Sequence, residues 1–156
     1  MYTTSLEVEL SSYLGGTIRY SVDGSEPTIS SQVYTAPLSI DQTRIIRARV
    51  YKPGMIPGKV TTQSYFIDES LTEKKLPVLS IATDPDNFWD PGTGIYVQDF
   101  KPEWEIPVNI ELFENNGSDR SAFNELAGIR VNGLYSWQLP QKMLGVYFRK
   151  EYDKNR

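Results

Sequence analysis

Residues 17–25, TIRYSVDGS, decide the fold of the N-terminal half. Strand side chains alternate with a period of two, so Ile18, Tyr20 and Val22 fall on one face and Thr17, Arg19 and Ser21 on the other. Asp23-Gly24 then supplies residues that tolerate the positive φ of a tight turn. The same alternation recurs on either side. In LEVEL, Leu6, Val8 and Leu10 share a face opposite Glu7 and Glu9; in RIIRARVY, Ile46, Ala48 and Val50 oppose Ile45, Arg47, Arg49 and Tyr51, and Pro53-Gly54 ends the strand. VTTQSYFI closes the series. Short alternating strands with regularly spaced turns predict a β-sandwich over residues 1–67.

Beyond this stretch the pattern changes. Residues 1–67 hold six Lys/Arg and five Asp/Glu, whereas residues 68–156 hold ten and fifteen, so the first half carries +1 and the second -5 of the net charge of -4. DESLTEKK, residues 68–75, reads as a solvated linker or a short surface helix. LPVLSIA suits a strand buried on both faces. Thr83 or Asp84 is placed to cap a helical turn that begins at Pro85. GIYVQ, PVNIELFE, GIRVNG and MLGVYFRKEY read as further strands, with a type I′ turn at Asn116-Gly117. The fold class is mainly β: an all-β sandwich over residues 1–67, a linker over 68–75, and an incomplete, predominantly β second unit over 76–156.

Composition narrows the chemistry. The 156 residues contain no His and no Cys, which removes His- or Cys-based nucleophiles, zinc sites of those residues, and disulfides. The acidic balance argues against nucleic-acid partners. No apolar run nears the roughly 20 residues that span a bilayer, so no membrane contact is expected of this segment.

Several constellations invite a functional reading. Asp84, Asp86, Asn87 and Asp90 offer oxygen ligands, yet they lack the glycine and bidentate glutamate of a calcium loop, which favours capping and turn roles. Glu103 and Glu105 flank Trp104; on an extended segment they would share one face about 7 Å apart, as on any acidic surface strand. Arg44, Arg47 and Arg49 form a basic stripe, which a solvated face or cross-strand pairing of Arg47 and Arg49 with Glu7 and Glu9 explains without any ligand. No residue is assigned a catalytic or metal-binding role. Trp89, Trp104 and Trp137 are the candidate sugar-stacking residues in a chain that is 12% aromatic.

Two stretches carry resemblances. Tyr20, Asp23 to Thr28 (DGSEPT), Tyr34, Pro37, Arg47-Ala48 and Tyr65-Phe66, within residues 6–67, closely resemble the Ig-like module at the C-terminus of chitobiase and β-hexosaminidase enzymes. That resemblance implies a non-catalytic accessory sandwich on an exported, carbohydrate-associated protein, with glycans as candidate partners. LPVLSIATDPDNFWDPGTGIYV, EWEIPVNIELFE, GIRVNG and PQKMLGVYFRKEYD, between Leu76 and Tyr152, are similar to the beginning of the CotH family of spore-coat kinase-like proteins. By this resemblance Lys142 contacts a nucleotide phosphate, with Arg130 and Ser136 nearby. It also implies ATP and magnesium for a full-length bacterial parent whose acidic metal ligands lie beyond Arg156. The chain itself is expected to need no cofactor and to be non-catalytic, its main partner being the rest of that parent. Unpaired edge strands in the second half are expected to favour a homodimer.

Overall fold

The computed structural model describes residues 1–67, 69–74, 76–97, 101, 103–118, 120–133, 135 and 138–152. The chain is mainly β. It divides into two compact units, one comprising residues 1–80 and 111–123, the other residues 81–110 and 124–156.

The first unit contains two sheets. β1 (Leu6–Val8) pairs antiparallel with β4 (Leu38–Ile40), Leu6 opposite Ile40. A second sheet runs in the order β3 (Gln32–Val33), β2 (Thr17–Ser21), β5 (Arg44–Tyr51), β6 (Thr61–Tyr65). Val8, Ile40 and Ile46, one residue from each of β1, β4 and β5, form the buried centre between them, with Leu6, Leu10, Leu38, Tyr65 and Ile67 packed around it. The period-two reading is therefore correct at Val8 and Ile46, although Val22 lies past the end of β2 and is exposed.

On the opposite face of β2 and β5 stands a row of long side chains, since Arg19 lies directly across from Arg49, Ser21 across from Arg47 and Thr17 across from Tyr51. The loop after β2 folds down onto this row. Arg47 donates to the Gly24 carbonyl at 2.7 Å, Tyr51 to that of Pro27 at 2.8 Å and Arg19 to that of Ser31 at 2.5 Å, while Arg49 pairs with the Glu26 carboxylate at 2.6 Å. Pro27, within the loop, is fully buried. Asp23 opens it, accepting from both the hydroxyl and the amide of Ser25, which hold its carboxyl below the usual carboxylate range; Gly24 adopts φ 89°. The expected pairing of Arg47 and Arg49 with Glu7 and Glu9 does not occur, because β1 belongs to the other sheet and the arginines reach the 24–31 loop instead.

Within the same unit Glu111 is completely buried. One of its carboxylate oxygens accepts from the Ser64 amide at 2.7 Å and the other from the Gln63 side chain at 2.8 Å, so a side chain occupies the outer rim of edge strand β6. The hydroxyls of Ser64 and Ser80 lie 2.7 Å apart beside it.

The remaining elements are α1 (Glu69–Lys74), β7 (Val78–Ala82), α2 (Pro85–Trp89), β8 (Ile106–Phe113), β9 (Phe123–Asn132) and β10 (Met143–Tyr147), the four strands ordered β10-β9-β8-β7. α1 falls where the charged stretch allows a helix. α2 starts as expected: Asp84 caps it by accepting from the Asp86 amide, and Pro85 occupies the first turn.

Three local expectations are corrected. β7 is not buried on both faces, for Leu79 is 50% exposed on an edge strand. Residues 94–97 form turns rather than a strand: the amides of Gly94, Ile95 and Tyr96 are taken by the carbonyls of Asp90, Asn87 and Phe88, so this backbone closes the end of α2 and has no amides left for a ladder. The β8–β9 connection is longer than a two-residue hairpin, and its positive φ values fall at Asn115 and Gly117 rather than at Asn116-Gly117.

Candidate functional site

The densest polar arrangement of the second unit grows from two strands that alternate small and polar residues on one face. Gly128, Arg130 and Asn132 lie at every second position of β9, and antiparallel pairing sets Tyr147 opposite Gly128 and Gly145 opposite Arg130. The glycines make room: a Cβ at Gly145 would lie 2.9 Å from the Tyr147 hydroxyl, and one at Gly128 would lie 2.5 Å from that of Tyr152. Arg130 Nε donates to Tyr147 Oη at 2.8 Å and to Asn132 Oδ1 at 3.3 Å, and Asn132 Nδ2 reaches the same phenol at 3.2 Å.

The Arg130 and Arg149 guanidinium carbons stand 4.7 and 5.0 Å from the Tyr147 ring centre. Arg149 also forms a 2.9 Å ion pair with Glu105, whose other oxygen accepts from the Tyr152 hydroxyl at 2.7 Å. Asn132, Arg130, Tyr147, Arg149, Glu105 and Tyr152 thus form one connected chain of polar contacts.

The two phenols respond in opposite directions. The hydrogen bond from Asn132, helped by Arg130, holds Tyr147 below the ordinary tyrosine value of 10.0. Burial, followed by the hydrogen bond to Glu105 and the charge of that carboxylate, pushes Tyr152 up to about 12. Ionising Tyr152 breaks its donation to Glu105, so the stability this contact contributes is full below pH 10 and is lost as pH rises through about 12. Tyr147 has the opposite sign, its contribution growing as pH rises through its lowered value. In an alkaline spectrophotometric titration the earliest tyrosine transition should vanish in Tyr147→Phe and the latest in Tyr152→Phe. Unchanged curves would refute this network.

The structure places the sequence-derived candidates as follows. Arg130 lies inside the network. Lys142 precedes β10, with its ammonium 5.5 Å from the Tyr96 ring centre. Ser136 and Trp137 lie outside the described residues. Trp89 is 63% exposed and its ring centre stands 5.2 Å from that of Tyr96, with Phe88 against both, while Trp104 has Lys101 over its ring at 6.0 Å.

Glu103 and Glu105 do not form an extended pair. The Trp104 amide bonds back to the Lys101 carbonyl in a turn, and Glu105 is committed to Arg149 and Tyr152. Asp84 and Asp90 act in capping and turn formation: Asp90 accepts from the amides of Gly92 and Thr93 and from the Thr93 hydroxyl, contacts that lower its carboxyl, the Gly92 amide most. Sequence reasoning missed Asn132, Tyr147, Arg149 and Tyr152. The available signal was the shared i, i+2, i+4 spacing of Gly128-Arg130-Asn132 and Gly145-Tyr147-Arg149.

Comparison with known proteins identifies the first unit's class. Residues 8–65 match the family model described as Fn3 associated, so this stretch is an Ig- or fibronectin-like associated module. The match runs from Val8, the last residue of β1, to Tyr65, the last of β6, and includes the loop clamped by the arginine row. No curated protein and no solved structure matches the chain. Among the described residues no helix is long and apolar enough to cross a membrane.

Proposed function

We propose that the chain is a non-catalytic accessory region of a larger exported bacterial protein, in which the Fn3-associated module serves as a folded spacer. The observation that carries this reading is the fate of the DGSEPT loop. Its Asp23 side chain, its Glu26 carboxylate and the carbonyls of Gly24 and Pro27 are used internally, by Ser25, Arg49, Arg47 and Tyr51. The residues that carry the chitobiase-module resemblance therefore build the module. Replacing residues 1–67 of the parent by an unrelated Ig-like sandwich of equal length, with Glu111→Gln so that no charge is left uncovered where Ser64 and Gln63 stood, should leave the parent's activity intact. Loss of activity in a folded chimera would overturn the spacer role.

A second reading, a glycan-binding accessory, is favoured by Trp89, an exposed indole braced by Tyr96 and Phe88 as sugar-stacking rings are. Titration with chitin oligosaccharides should then quench tryptophan fluorescence in the wild type and not in Trp89→Ala; no binding in the millimolar range sinks it.

A CotH-type site for ATP and magnesium gains less support. Arg130 is held by Tyr147 and Asn132, and Lys142 stands over Tyr96, so a phosphate would have to draw Arg130 out of an existing network. If the full-length parent is such a kinase, Lys142→Met abolishes its phosphate incorporation.

A further inference from the structure

Asn116 and Asn132 are the chain's two asparagines followed by glycine. Such a pair can react with itself, because glycine has no Cβ to shield its amide nitrogen from the carboxamide before it. The structure treats the two pairs differently.

Asn116 is exposed in the loop that joins β8 to β9. Its Oδ1 accepts from the Ser118 amide at 3.1 Å, which folds the carboxamide back alongside the peptide bond to Gly117. Its Nδ2 donates to the Glu114 carboxylate at 3.0 Å. Among the described residues nothing accepts from the Gly117 amide. A Cβ at Gly117 would meet no atom within 4 Å, so solvent reaches this nitrogen. Asn132, in contrast, is the last residue of β9 and lies opposite Met143. Its Oδ1 accepts from Arg130 Nε at 3.3 Å and its Nδ2 donates to Tyr147 Oη at 3.2 Å. A Cβ at Gly145 would collide with that Nδ2. The Asn132 carboxamide is thus spread over β10 and turned away from Gly133.

We propose that Asn116 is a self-modification site, where the folded loop converts the side-chain amide into an acid using only water. A base removes the Gly117 amide proton, and the nitrogen forms a bond to Asn116 Cγ while the carbonyl electron pair moves onto Oδ1. The Ser118 N–H already points at the oxygen on which that charge develops. The Cγ–Nδ2 bond then breaks, and the nitrogen takes a proton from water and leaves as ammonia, with the Glu114 carboxylate beside it. A cyclic imide remains. Water opening it at Cγ yields aspartate; water opening it at the main-chain carbonyl yields isoaspartate.

Either product adds one negative charge, taking the net charge from -4 to -5. Aspartate at this position presents a carboxylate to Glu114 where an N–H had donated. Isoaspartate inserts an extra methylene into the main chain next to Asn115, whose side chain ties the loop to the Leu76 carbonyl at 3.3 Å.

The test incubates the whole chain at mildly alkaline pH, folded in buffer and unfolded in urea, and follows both asparagines by peptide mass mapping with isoaspartate detection. In the folded chain Asn116 should convert at least about tenfold faster than Asn132, a difference that disappears in urea. The product should contain isoaspartate, which direct hydrolysis of the side chain cannot give. Gly117→Ala, whose methyl group has open space around it, should slow conversion about tenfold by shielding the nucleophile. The proposal is overturned if Asn116 survives in the folded chain and reacts only in urea, if Asn132 keeps pace with it, if no isoaspartate forms, or if Gly117→Ala converts at the original rate.

Discussion

Ile46→Ala should lower the melting temperature of the first unit by roughly 12–24 °C, equivalent to about 3 kcal/mol in a unit of this size. Ile46 is 2% exposed and joins the sheet of β2, β3, β5 and β6 to Val8 and Ile40 of the two-stranded sheet. So small a core has few other atoms with which to close the resulting cavity. Tyrosine absorbance is the suitable probe, because all three tryptophans lie at positions within the second unit and report on that unit alone. Ile29→Ala, at an exposed turn corner, should change stability by no more than about 0.5 kcal/mol. Equal effects from the two substitutions would mean that the Val8, Ile40 and Ile46 cluster does not hold the sandwich together.

Glu111→Ala should cost about 2–4 kcal/mol, because it strands two donors at once. The Ser64 amide belongs to a residue that is only 3% exposed, and water cannot readily replace the lost carboxylate there. The Gln63 amide loses its acceptor as well. Glu111→Gln should recover much of this loss: its carbonyl can take the Ser64 amide, while the Gln63 side chain turns to offer its oxygen to the new NH2 group. Hydrogen exchange supplies a local readout. The Ser64 amide should lose protection in the alanine variant and keep it in the glutamine variant. An amide that stays protected in Glu111→Ala would show that the carboxylate does not guard this edge.

These two residues also mark what could be read from sequence. Ile46 was legible, because alternation along one strand suffices to assign its face, and the same rule located β1 and β2, though not the short β3 and β4. Glu111 was not. In IELFE it reads as an ordinary outward polar residue, and its partners Gln63 and Ser64 are almost fifty positions earlier in the chain. The arginine row was visible as a stripe, but its true partners, the 24–31 loop, depended on a long-range fold-back that no local pattern encodes. GIYVQ failed for a related reason. Its apolar residues suit a strand, yet the open carbonyls at the end of α2 captured its amides first. Within the candidate site, Arg130 was found through resemblance, whereas Tyr147 and Arg149 needed the register that sets β10 against β9.

The buried carboxylate also bears on how the protein is made. Residues 111–123 belong to the first unit although residues 81–110 of the second unit precede them in the chain. When a ribosome has released the last residue of the family match, Tyr65, the group that will hold Ser64 and Gln63 has not yet been synthesised. The nascent module must wait, with the rim of β6 open, through more than forty further additions. During that interval it is most vulnerable to pairing with a neighbouring nascent chain, and Glu111 ends that exposure on its arrival.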